Sequence, residues 1–196
     1  MHQKSALAGI AVFVSLLMCE PSYAHGFAGN GWLHPLTGLD HMLAMVAVGA
    51  WSAQLGGRAL YAVPLAFLGT MAIGATLGIV QGGLTGTEFG IALSVLLLGV
   101  AIALERKTAV WIAAMGVGLF GICHGYAHGA EMPGSEHVGS YAAGFLITTA
   151  GLHLVGAIGG LLLLESQRGK RWLGLAGVTI AVVGAYLIVM GPTFGG

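Results

Sequence analysis

Six apolar segments, near 38–54, 59–80, 88–104, 109–128, 138–164 and 172–190, constrain this chain more than any other feature. Most approach the ~20 residues that a helix needs to cross a bilayer, and the first is somewhat short. Only 7% of the residues are charged, against about 25% in a soluble domain. The expected fold is an all-α membrane protein with six transmembrane helices in a compact bundle. The connections, at 54–58, 81–87, 105–108, 129–137 and 165–171, are short, which implies antiparallel neighbours. The 35 glycines are spread through the apolar runs, as suits close approach of helices in lipid. Gly121, Gly125 and Gly129 recur every four residues, as do Gly74/Gly78 and Gly156/Gly160, and these should mark helix interfaces.

Residues 1–24 read as a cleavable signal peptide preceding one domain, 25–196. Lys4 supplies the basic n-region, 7–18 the apolar core, and Ser22-Tyr23-Ala24 a small-residue cleavage site. The alternative is a seventh, retained helix. A lipoprotein reading through Cys19 is weaker, because Met18 is not the small residue that such processing prefers.

The basic residues orient the bundle. Arg58, Arg106, Lys107, Arg168, Lys170 and Arg171 fall in the first, third and fifth connections, and the second and fourth contain none. The positive-inside rule then puts the basic loops in the cytoplasm and both mature termini outside, in the periplasm of an inner membrane. A formal net charge of zero gives no footprint for nucleic acid.

On that map His25, His34, His41, His124, His128 and His137 lie at or near the outer face, with Asp40, Glu88, Glu131 and Glu136. Such a mouth, without Lys or Arg, attracts cations. Ionisable groups at a membrane edge are expensive to desolvate and are read as functional. Two cysteines exclude a thiolate cage, so a site must rest on imidazole and carboxylate, donors suited to nickel, cobalt, copper or zinc.

Two clusters carry those donors. In the second, His124 and His128 are one helical turn apart and can share an ion, with Glu131 three residues on as a further ligand or outer partner. The bland reading is two interfacial histidines bonded to carbonyls. In the first, His34, Asp40 and His41 surround a helix start. Pro35 suits a first turn, and Thr37 with Asp40 matches a capping box, so Asp40 is read as cap, ligand or both. We expect the two clusters to meet and form one divalent-metal site.

His153 lies deep in the fifth segment, either a second stop for an ion or a core histidine bonded to a carbonyl. If cleavage leaves His25 first, its α-amine and Nδ1 could chelate one ion; otherwise it is part of a polar terminus.

His34-Pro35-x-x-Gly38-x-Asp40-His41 followed by His124-Gly125-x-Ala127-His128-Gly129-x-Glu131 resembles the paired motifs of the HupE/UreJ family of nickel/cobalt permeases. The likeness runs from the signal peptide through all six segments. It implies uptake of nickel, or in some members cobalt, with His34, Asp40, His41, His124, His128 and Glu131 as site residues and no catalytic cofactor. The expected function is a metal permease, its partners the ion and the lipid bilayer, with the oligomeric state open. Two alternatives stand beside it: a membrane-embedded zinc hydrolase, for which Glu131 and Tyr126 are available, and a non-transporting metal-binding accessory subunit.

Overall fold

The computed structural model describes residues 31–82, 86–132 and 137–194. The expected signal peptide and His25 lie outside these residues, as does Glu136. The described chain is helical: a short α1 (His34–Thr37), then α2 (Leu39–Leu55), α3 (Ala59–Gln81), α4 (Thr87–Ala103), α5 (Val110–Ala130), α6 (Val138–Leu164) and α7 (Gln167–Phe194), with no strand among the described residues. Each expected segment is a helix within two residues of its expected ends, except the last. That helix starts five residues before 172, so Arg168, Lys170 and Arg171 lie in its opening turns.

Four helices are long and apolar enough to cross a membrane: α3, α5, α6 and residues 167–190 of α7. The 17 residues of α2 and of α4 reach only about 26 Å, short of the ~30 Å hydrocarbon core. The bundle nevertheless has an apolar exterior. Leu65, Phe89, Trp111, Leu119, Val155 and Val182 all point outward, which in water would be an unsheltered apolar face.

The turns explain the short connections. After α2 the chain reverses through Gly56 and Gly57, both with positive φ, and the Gly56 N–H returns to the Ser52 carbonyl. Gly82 ends α3 the same way, bonding the Gly78 carbonyl. Both conformations place the backbone where a Cβ would be strained.

The tightest partners are not the sequence neighbours that short loops suggested. Helix α3 packs most extensively on α5, α2 on α6, and α4 on α7. The spaced glycines decide this. Gly121, Gly125 and Gly129 present bare backbone to Phe67, Met71 and Ala75, while Gly74 and Gly78 reciprocate against Ile122 and Tyr126. Because both numberings rise together, α3 and α5 run parallel. Gly49 against His153 and Gly160 against Ala53 make α2 and α6 parallel too, whereas Gly99, Gly177 and Gly184 join α4 and α7 antiparallel. Loop length fixes only the sense of consecutive helices; missing side chains fix which backbones can touch.

Helix α2 is the axis of the assembly. Ala44, Met45, Ala47, Val48, Gly49, Ala50, Ser52 and Ala53 are all buried, against α3, α4 and α6 above all. Alternation of helix direction collects Arg58, Arg106, Lys107, Arg168, Lys170 and Arg171 at one end of the bundle and Asp40, Glu88 and Glu131 at the other.

Candidate metal site

The acidic end is built where α2 begins. Pro35 sits in the first turn of α1, as expected. The expected capping box does not form: the chain breaks at Gly38, which is itself the N-cap of α2, and no side chain caps there. Asp40 takes a different part. Its Oδ1 accepts the His41 backbone N–H at 2.7 Å and the His41 ring Nδ1–H at 2.9 Å. A carboxylate is acceptor only, so the ring proton belongs on Nδ1 and the lone pair on Nε2. That Nε2 is buried and bonds nothing among the described residues. One oxygen thus ties down a helix end and fixes a tautomer, the usual outer partner of a metal-binding imidazole.

From the other side α5 brings His124 and His128, both essentially fully buried. The His41 ring meets them edge to face, with centroids 4.9 Å from His124 and 4.7 Å from His128. Phe145 of α6 stacks on His128 at 5.3 Å and 19°, holding that ring from behind. Gly125 and Gly129 let α5 lie against α3 closely enough for the two imidazoles to reach the axis. The two clusters, more than eighty residues apart, therefore meet.

Ser94 of α4 completes the setting of His124. Its Oγ donates to the Ile91 carbonyl at 2.6 Å and lies 2.9 Å from His124 Nε2. With the hydroxyl proton spent on Ile91, His124 Nε2–H is the donor and Nδ1 carries the lone pair. Nδ1 is buried without a partner among the described residues. Two different hydrogen bonds thus leave one unprotonated nitrogen on each of His41 and His124.

Carboxylates surround these rings. Glu88, in the first turn of α4, and Glu131, the C-cap of α5, both act electrostatically on His41. Both are exposed, so they sit at the rim. His34 opens α1, and its side chain lies outside the described part. Among the described residues no three His, Cys, Asp or Glu side chains already stand as a ready ligand set. His41, His124 and His128 form the nucleus, Asp40 supports it, and Glu131 is peripheral.

Sequence reasoning missed Ser94 and Phe67, and placed Glu88 at the outer mouth without naming it as a site residue. A serine in an apolar helix ordinarily bonds its own backbone, so nothing local marks Ser94. Phe67 lies 5.4 Å from the His124 ring and looks like any core aromatic. We expect Ser94→Ala to weaken nickel binding about tenfold, within the range for outer partners of metal-binding histidines, with Ser94→Thr largely restoring it. Equilibrium binding to purified protein measures this, and unchanged affinity would remove Ser94 from the site.

The HupE / UreJ protein family model matches residues 7–187, nearly the whole chain. The chain belongs to the HupE/UreJ family. Protein HupE of Rhizobium leguminosarum bv. viciae is 43% identical over 176 residues, covering 86% of this chain and 92% of that protein. No solved structure matches the chain. HupE/UreJ proteins are transporters and accessory proteins, not enzymes, which removes the zinc-hydrolase alternative. Both paired motifs lie inside the matched region, so the resemblance drawn from them holds across the HupE/UreJ span.

Proposed function

We propose that this chain is an inner-membrane transporter that lets Ni²⁺ or Co²⁺ move into the cell by facilitated diffusion. The observation that carries this reading is the meeting of His41, His124 and His128 at the acidic end of an apolar bundle. In this reading all six long helices cross the membrane, with α2 and α4 short because they are shielded by their neighbours. The basic end faces the cytoplasm, as the positive-inside rule favours, and both mature termini face the periplasm after removal of residues 1–24.

The ion is drawn to a rim carrying Glu88 and Glu131 and sheds water as it descends. His41 Nε2 and His124 Nδ1 offer it lone pairs, and His128 and His34 complete the set with Asp40 acting through His41. Bonds to imidazole nitrogen of about 2.0–2.1 Å, as at zinc, require modest turning of rings whose centroids are now under 5 Å apart. His25, as a new N-terminus, adds a nitrogen for capture. A negative-inside potential favours inward movement of a divalent ion by about 4.6 kcal/mol per 100 mV. Coupling is not needed for uptake down that gradient. Affinity must stay moderate, since an ion held too tightly does not leave.

Radiolabelled nickel and cobalt flux into proteoliposomes tests this. We expect saturable flux from the intact chain and loss of it in His124→Ala. Extending the mature N-terminus by one alanine should weaken uptake through His25. Nickel binding without flux in the intact chain would favour the accessory-subunit reading, and flux that His124→Ala leaves intact would remove the site.

A further inference from the structure

Below the histidine cluster lies a second polar pair that the transport reading has not used. His153 and Thr149 of α6 are both buried, at 2% and 0% exposure. Neither ring nitrogen of His153 and not the Thr149 Oγ1 has a hydrogen-bond partner among the described residues. The two are one helical turn apart, so they share a face. Leaving such groups unpaired is costly, because each gives up its bonds to water with no replacement.

Thr149 is the informative member. A threonine in an apolar helix commonly returns its hydroxyl to the carbonyl four residues back. Thr70 does so with Ala66 at 2.9 Å, and Thr76 with Ala72 at 3.0 Å. Thr148 instead reaches the Trp32 carbonyl at 2.9 Å. Thr149 makes no such bond. The carbonyl bond expected of a core imidazole at His153 is absent among the described residues, and the Phe67 ring lies 5.2 Å away and perpendicular.

Phe67 also gives the position. Its ring lies 5.4 Å from His124 and 5.2 Å from His153, so it is a neighbour of both. The His153 carbonyl lies against Gly49 of α2, eight residues past His41 and so about 12 Å further toward the basic end.

We propose that His153 and Thr149 form a second, inner cation site that receives the divalent ion after it leaves the His41–His124–His128 cluster. This rests on the transport reading and deepens it by naming a second stop. The site offers imidazole nitrogen and hydroxyl oxygen with no carboxylate, so it holds a dication weakly. Weak binding is what a transit site needs, since two sites of graded affinity let an ion step onward.

The test uses the full chain in proteoliposomes, with nickel flux and nickel binding measured on Thr149→Val and His153→Cys beside His124→Ala. Thr149→Val keeps the shape and removes the oxygen. We expect both inner variants to keep the wild-type nickel affinity of the outer cluster while flux falls about tenfold, equivalent to 1.4 kcal/mol at the barrier. Cobalt(II) added to His153→Cys should give a thiolate-to-cobalt charge-transfer band absent from the parent chain, which a merely structural histidine would not produce. Wild-type flux in both variants, with His124→Ala inactive, overturns the inner site and leaves the transporter standing. Reduced flux without the band marks a packing defect and also overturns it. Absence of flux in the parent chain overturns the transport reading and the inner site together.

Discussion

We expect nickel transport, on the proposed reading, to fall about 10–100-fold when Asp40 becomes Asn, the range seen when an outer partner of a metal-binding histidine is lost. The reason is the single oxygen that takes both the His41 backbone N–H and the His41 Nδ1–H. An amide at that position offers one uncharged acceptor and two donors. It can no longer hold the proton on Nδ1 as strongly or raise the basicity of Nε2. His41→Ala should be worse, because it removes the nitrogen itself and the ring that touches both His124 and His128. The ordering, His41→Ala below Asp40→Asn below wild type, separates a support from a ligand. Flux and equilibrium nickel binding on the same preparations measure it, and an Asp40→Asn protein with unaltered affinity would mean the carboxylate only secures the helix start.

Gly125→Ala gives the second large effect, and it acts on the fold first. A Cβ at Gly125 would run into the Met71 carbonyl oxygen and lie 2.9 Å from the Ala75 nitrogen. Both are backbone atoms, which cannot swing aside as a side chain can. Helices α3 and α5 must separate, at a cost on the order of 1–3 kcal/mol or more for an overpacked interior. His124 is the adjacent residue, so separation also draws an imidazole from the cluster. We expect a sharp fall in folded yield and in thermal stability in detergent, with the surviving protein poor in nickel binding. Gly116→Ala is the control on the same helix: nothing lies within 4 Å of its added Cβ. It should be neutral or slightly stabilising, as alanine is the better helix former. Equal behaviour of the two variants would mean that the α3–α5 contact is looser than drawn.

The comparison of Asp40 with His153 shows how far one-dimensional reading reaches. Asp40 was marked from the sequence by its neighbours, but the capping box read there does not form, and its Oδ1 takes the His41 backbone and ring N–H groups instead. His153 was marked too, but the reading leaned to a carbonyl-bonded core residue. Only the tertiary surroundings revealed that it makes no hydrogen bond among the described residues and lies beside Phe67. Ser94 carried no mark at all, because its importance is a contact to a ring thirty residues away. Side-chain hydrogen bonds across a bundle depend on helix rotation, which no local pattern records.

The sequence by itself determined the helices, the lengths of all but the last to within a few residues, the gathering of basic and acidic residues at opposite ends, and the two clusters of metal-competent donors. These follow from local rules: backbone groups in lipid must bond within their own segment, and charge must sit where water is. Tertiary structure alone decided that α3 pairs with α5 and α2 with α6, each in parallel, and that α2 stands at the centre. It also decided which imidazole nitrogens keep their lone pairs. The physical reason is that packing in lipid is set by where backbones can touch, a property of two surfaces at once.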